Sequence, residues 1–217
     1  MSFEVLLHLG SLVAVLVYFR SRIITLVRCL FDKSMTRERK IVLFLIIGTL
    51  PAVFAGVLLK DFFERAFSNP LMTSFMLIAT GGILLSTRFV RRGSNKIAMP
   101  TALIMGVGQA MAILPGISRS GTTIAAGMMS GVEPSEAAEF SFLLSVPAIL
   151  GAVVFKSKDL LAIDSSLAIP YILGIVVTFV SSILAVYAVL AAIKRGKFVY
   201  FAYYCFAAGA LGLYLFL

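Results

Sequence analysis

The sequence predicts an all-α polytopic membrane protein, and three observations predict it. Of its 217 residues 60% are hydrophobic and 13% charged, where a soluble domain carries roughly a quarter charged residues; the mean hydropathy is +1.04. The apolar residues gather into runs about as long as a bilayer crossing, near 20 residues. The basic residues gather between those runs. A water-soluble globule of this size has nowhere to hide so much apolar surface. Disordered, fibrous and disulfide-scaffold classes are excluded by the same composition.

The first crossing is expected at 3–19, the second at 41–59 and the third at 71–90. A re-entrant helical hairpin is expected at about 97–131, followed by crossings at 136–155, 168–193 and 199–217. The hairpin is inferred from its break. An apolar run over 97–114 is interrupted at Leu114-Pro115-Gly116, and the second piece, 121–131, is only about 17 Å long at helical rise. Such irregular backbone is tolerated at membrane depth only when buried in protein or lining a polar cavity, so the break marks a site.

The net charge of +9 does not predict a nucleic-acid partner, because the basic residues form short clusters between apolar runs. Arg20, Arg22, Arg28, Lys33, Arg37, Arg39 and Lys40 fill one loop, Arg88, Arg91, Arg92 and Lys96 another, and Lys194, Arg195 and Lys197 a third. The alternate loops hold Lys60, Arg65, Lys156 and Lys158, matched by Asp61, Glu64, Asp159 and Asp164. The positive-inside rule then puts the three basic loops in the cytoplasm and both termini outside. Met1-Ser-Phe-Glu4 has no basic n-region, so no signal peptide is expected. Cys29 and Cys205 suggest neither a disulfide framework nor a metal site.

The chain is expected to be a single membrane domain over 1–217, built of two half-repeats, 1–96 and 97–217. Glu4 to Ala14 resembles Glu139 to Ile149, and Ala79 to Leu85 echoes Ala208 to Leu213. Three crossings per half make this an inverted-topology repeat with its site at the interface of the halves.

The chemistry concentrates in the hairpin turn. Arginine inside a membrane segment is costly and normally faces a polar cavity with a partner. Arg119 is surrounded by Ser118, Ser120, Thr123, Gly116 and Gly121, with a short helix following. Helix N–H groups would point at an anion, and the guanidinium adds a planar fork matched to phosphate oxygens. One of the hydroxyls could act as nucleophile. The bland alternative is a turn whose Arg snorkels to the interface and whose hydroxyls cap a helix.

Glu139, inside the start of a crossing helix, needs a cation or metal, with Arg119 the natural partner. Glu4 occupies the repeat-equivalent position. Gln109 is either a site amide or interhelical glue. Glu133 and Glu136, flanking Pro134, are expected to be exposed or capping. His8 is expected to be a structural polar group, and Gly127 to Gly131, a GxxxG, to permit close packing. Pro51, Pro147 and Pro170 are expected to kink crossing helices.

Pro115-Gly-Ile-Ser-Arg-Ser-Gly-Thr-Thr123, followed by Glu139-Phe-Ser-Phe-Leu-Leu-Ser-Val-Pro147, resembles the undecaprenyl-diphosphate phosphatase family associated with bacitracin resistance. The similarity runs from Phe3 to the last helix. It implies a multi-pass protein of the bacterial inner membrane that hydrolyses undecaprenyl diphosphate to the monophosphate and inorganic phosphate, recycling the lipid carrier for cell-wall synthesis. Arg119, Ser118, Ser120 and Thr123 are then the expected catalytic residues, with Gly116, Gly121, Glu139 and Gln109 binding substrate. The resemblance also implies a divalent cation, Mg²⁺ or Ca²⁺. Its ligands are unassigned. Family members carry an N-terminal segment with an E-x-x-x-E motif and a Ser-rich turn ending in Gly-His, and nothing here matches it. The expectation is therefore a chain that begins after that segment and holds about half of the family's site. The competing functions are a lipid-phosphate transporter or flippase and a catalytically inactive homologue. A homodimer is a further possibility.

Overall fold

The structure, a computed structural model, describes residues 2–90, 93–155 and 168–217, with side chains for 7–90, 93–154 and 169–217. Arg91, Arg92, Lys156, Lys158, Asp159, Asp164 and the side chain of Glu4, all invoked above, lie outside the described residues. Ten α-helices are described: α1 (Ser2–Tyr18), α2 (Arg20–Phe31), α3 (Thr36–Leu58), α4 (Lys60–Phe67), α5 (Pro70–Ser86), α6 (Met99–Met111), α7 (Arg119–Met129), α8 (Pro134–Phe155), α9 (Ala168–Lys194) and α10 (Tyr200–Phe216). No strand occurs among the described residues, only a parallel bridge between Asn95 and Val132.

All six expected crossings are helical. Four helices are long and apolar enough to span a bilayer, in α3, α5 with its 3₁₀ extension to Phe89, α8 and α9. A fifth span results if α1 and α2, bent by 82° at their junction, are taken as one. Helix α10 is apolar but has only 17 residues. The protein is thus an all-α, multi-pass membrane protein.

Two stretches expected as loops are instead helical. Residues of the basic 20–40 segment form α2, which buries Leu26 and Cys29, and residues after α3 form α4, which buries Phe63 and Ala66. In both, apolar residues recur three residues apart among charged ones, enough to cover one helical stripe. The corner after α2 is built from side chains. Arg39 Nε donates to the carbonyl of Cys29 at 2.8 Å, and Asp32 Oδ1 accepts from the Ser34 N–H at 2.9 Å and its hydroxyl at 2.7 Å. Pro51 and Pro147 sit inside α3 and α8 without ending either helix.

The chain divides into two compact units. One comprises Met1–Leu43 and Phe142–Leu190. There Gly10 lets α1 approach the backbone of α9 at Ile175, where a Cβ would stand 2.7 Å from the carbonyl oxygen, and Phe19 meets Phe142 at a ring separation of 5.9 Å. The other comprises Phe44–Ser141 and Ala191–Leu217, and it contains the hairpin. In it α5 presents two faces. Gly81, Ile78 and Ser74 pack on α10, against Phe206, Gly209 and Gly212. Thr73, Met76 and Thr80 receive the 112–118 turn.

Candidate functional site

Helices α6 and α7 are the two arms of the expected hairpin, and they pack against one another. Helix α6 begins with Pro100 in its first turn, where the missing N–H costs nothing. It ends at Met111, and Leu114-Pro115-Gly116 reverses the chain. Gly116 has φ +91°, a left-handed conformation that favours glycine, and a Cβ there would overlap the carbonyl oxygen of Thr73 on α5. The turn is then held by one side chain. Thr80 Oγ1 donates to the Gly116 carbonyl at 2.8 Å and accepts from the Ser118 N–H at 3.1 Å. Thr80 is fully buried.

Ser118 is the N-cap of α7, its hydroxyl oxygen accepting the Gly121 N–H at 3.2 Å, and its carbonyl accepts from Thr122 at 2.8 Å. The N–H groups of Arg119 and Ser120 are left open, as the first turn of a helix leaves them. Arg119 is the first residue of α7, and its Nη1 is buried with no hydrogen-bond partner among the described residues. Ser120 is half-buried at the same tip. Thr123, fully buried, donates to the Arg119 carbonyl at 2.7 Å and meets Ser141 Oγ of α8 at 2.5 Å. Gly127 closes the far end of the hairpin. A Cβ there would lie 2.9 Å from Ala137 Cβ and 3.0 Å from Met105 Sδ, so close packing is its function. Gly131, at φ +79°, ends α7 in a Schellman motif, with Val132 N–H donating to the Gly127 carbonyl.

The orphaned polar atoms define the site. Among the described residues, every buried side-chain nitrogen or oxygen without a hydrogen-bond partner belongs to Gln109, Arg119 or Thr122, all within this one hairpin. Natural proteins leave few such groups, and each calls for an explanation. Gln109 is 3% exposed, and both of its amide atoms are unpartnered. That removes the interhelical-glue alternative.

Thr122, 5% exposed, faces α6, its Cγ2 lying 3.4 Å from where a Cβ on Gly108 would be.

Other expected residues fall elsewhere. No ion pair joins Arg119 to Glu139 among the described residues. Glu139 lies half-buried on α8, two residues before Ser141 and so about 200° around the helix from it; it is Ser141 that faces α7. Gly121 supplies the close approach to Ser118 and spends its N–H on the cap. Glu133 caps α8 by accepting the Glu136 N–H at 2.9 Å, while Glu136 binds Lys96 Nζ at 2.7 Å and the Ile97 N–H at 3.0 Å. Both anchor the start of the hairpin, as capping residues do. His8 is exposed on α1.

Sequence reasoning missed Thr80, Thr122 and Ser141. The visible signal was a hydroxyl in an otherwise apolar helix. Nothing local tells which such hydroxyl finds a partner 18 or 38 residues away. As for a metal, no group of three His, Cys, Asp or Glu side chains occurs among the described residues, so they do not by themselves form a divalent-cation centre.

The comparisons agree with this architecture. The family profile described as Bacitracin resistance protein BacA matches residues 1–211. The chain is 37% identical to an undecaprenyl-diphosphatase of Methanobrevibacter smithii, with 97% of this chain and 82% of that protein covered. It is 36% identical to undecaprenyl-diphosphatase 1 of Shouchella clausii, with 97% and 80% covered. An undecaprenyl-diphosphatase of Methanothermobacter thermautotrophicus is 44% identical, with 76% of this chain and 95% of that protein covered. A buried arginine at the tip of a broken membrane hairpin, in a chain matched almost throughout, leaves one assignment: the protein belongs to the bacitracin resistance protein BacA family.

Proposed function

We propose that this chain hydrolyses undecaprenyl diphosphate to undecaprenyl phosphate and inorganic phosphate, with the tip of α7 as the phosphate-binding end of its site. The observation that carries it is the confinement of all unpartnered buried side-chain polar atoms, among the described residues, to the hairpin. A buried guanidinium without a counter-charge is costly, and a diphosphate supplies the missing charge. Arg119 and the open N–H groups of Arg119 and Ser120 hold the terminal phosphate. Gln109 and Thr122 extend the polar surface along the hairpin. The polyprenyl tail needs only the surrounding apolar helices and lipid.

In the reaction the bond between the terminal phosphorus and the bridging oxygen breaks. The bridging oxygen leaves with the lipid monophosphate, and water supplies the oxygen that ends on inorganic phosphate. Charge accumulates on the transferring group and its leaving oxygen, and a preorganised guanidinium with helix N–H donors stabilises it. Of the three expected hydroxyls, that of Ser120 makes no hydrogen bond among the described residues, and that of Ser118, an acceptor in the cap, retains its proton to donate. These two face the phosphoryl group. The divalent cation enters bound to the diphosphate oxygens, and no step here runs through a metal held by the chain. We place the enzyme in the bacterial inner membrane, basic loops in the cytoplasm and both termini outside.

The test is inorganic phosphate release from undecaprenyl diphosphate by the purified chain in detergent, beside Arg119→Ala, with Mg²⁺, Ca²⁺ or chelator. Turnover that needs Arg119 is the expected result. Lipid binding without phosphate release overturns the hydrolase and favours a carrier.

A further inference from the structure

The pair Thr123 and Ser141 has a property that follows from counting protons. A hydroxyl has one proton to give and two lone pairs to receive with. Thr123 Oγ1 lies 2.7 Å from the carbonyl oxygen of Arg119, which can only accept. The Thr123 proton is therefore committed to that carbonyl. Thr123 Oγ1 also lies 2.5 Å from Ser141 Oγ, and with its own proton spent it can only receive there. Ser141 must be the donor. The alternative direction would leave the Arg119 carbonyl with a threonine oxygen at 2.7 Å and no proton between them. Both side chains are 0% exposed, so water cannot replace either member, and burial strengthens the chain of bonds.

We infer that Ser141 is a positioning residue for the reaction, acting through Thr123 on the backbone of Arg119. This rests on the phosphatase assignment of the same site. Ser141 on α8 donates to Thr123, and Thr123 donates to the carbonyl of Arg119. The residue that carries the guanidinium and one of the two open N–H groups is thereby tied to a helix outside the hairpin. Without the tie, the first turn of α7 is held only by the Ser118 cap and the Thr80 bracket. Those bonds fix residues 116, 118, 121 and 122 but not the Arg119 peptide. Thr123 is thus a positioning residue as well, with no proton left for the phosphoryl group.

The experiment compares wild type, Ser141→Ala, Thr123→Val, Thr123→Ser and the double variant Ser141→Ala/Thr123→Val in phosphate release over a range of lipid diphosphate concentrations, with thermal unfolding measured alongside. Small displacements of a catalytic group cost up to roughly a hundredfold in rate. Thr123→Val is expected to lower kcat at least tenfold, and Ser141→Ala to lower it less, because the Thr123 to Arg119 bond survives there. Thr123→Ser keeps the hydroxyl and is expected to stay within about threefold of wild type. The double variant is expected to be no slower than Thr123→Val. KM should move less than kcat in all of them. Multiplication of the two single effects in the double variant overturns the inference. So does a fall in kcat that follows unfolding temperature alone, or Thr123→Ser as slow as Thr123→Val. Wild type that releases no phosphate overturns the phosphatase assignment and this inference with it, whereas additive losses on an active wild type overturn only the coupling.

Discussion

Arg119 is held in place by everything around it and satisfied by nothing. Its helix starts on a serine cap, its carbonyl is bonded by Thr123, and its Nη1 remains without a partner. Arg119→Lys keeps the charge but removes the planar fork. Loss of a preorganised donor of this kind costs about 10²–10³ in kcat, so Arg119→Lys is expected to fall in that range and Arg119→Ala at or below it, read by phosphate release. Gln109→Leu removes an amide that has no partner to abandon. Thermal stability should therefore be kept or raised, since an unpaired buried amide is itself a cost, while KM for the lipid diphosphate rises. A fall in stability would mean that the amide does have a partner within the fold. Arg119, Ser118 and Ser120 were legible because each belongs to one continuous stretch of sequence. Ser141 and Thr122 were not, since a lone hydroxyl in an apolar helix reads the same whether it bonds its own backbone, as Ser145 does to Phe142 at 2.6 Å, or reaches another helix.

Among the elements, the broken hairpin was the most legible. Pro115 and Gly116 announce the break, and the second arm, expected over 121–131, runs from Arg119 to Met129. Helices α2 and α4 were not legible as helices, because charge density outweighed their apolar stripe when each was read as a loop. The clamp on the turn is the element-level dependence to test. Thr80→Val removes both bonds to the 112–118 turn at nearly constant volume. It leaves a buried N–H and a carbonyl unpaired, at about 1–3 kcal/mol. A lower unfolding temperature together with a lower kcat is expected, and unchanged activity would separate the turn from catalysis. Packing of α5 on α10 has no slack. Gly209→Val places a side chain where Ser74 O and Ile78 lie within 2.9 Å of the Cβ position, and the expected outcome is loss of folded protein in detergent, seen by size-exclusion chromatography.

For the molecule as a whole, membrane residence and fold class followed from composition alone, since 60% hydrophobic residues leave no soluble alternative. Crossing number did not follow so directly. The spacing of apolar runs gave six, while length and composition of the observed helices support four or five, because α1 bends into a basic helix and α10 is short. The orientation is open to a direct experiment. Ser68 and Ser94 are exposed, in loops of opposite charge character, and the native thiols Cys29 and Cys205 are buried. Ser68→Cys is expected to react with a membrane-impermeant maleimide in intact spheroplasts, and Ser94→Cys only after lysis. The reverse pattern would invert the topology.

The bracket that Thr80 places on the turn has a consequence for anyone who wishes to move or find this site. The stretch from Pro115 to Thr123 looks like a self-contained peptide. Yet its shape is set by a hydroxyl 36 and 38 residues upstream, on a helix with no polar neighbours to advertise it. Grafted into another scaffold without an α5 equivalent, the nonapeptide would keep its serines and arginine but lose the curvature that aims them. A sequence search built on the nonapeptide alone would in turn admit chains that cannot form the cradle. Requiring a threonine about one helix earlier would discard them.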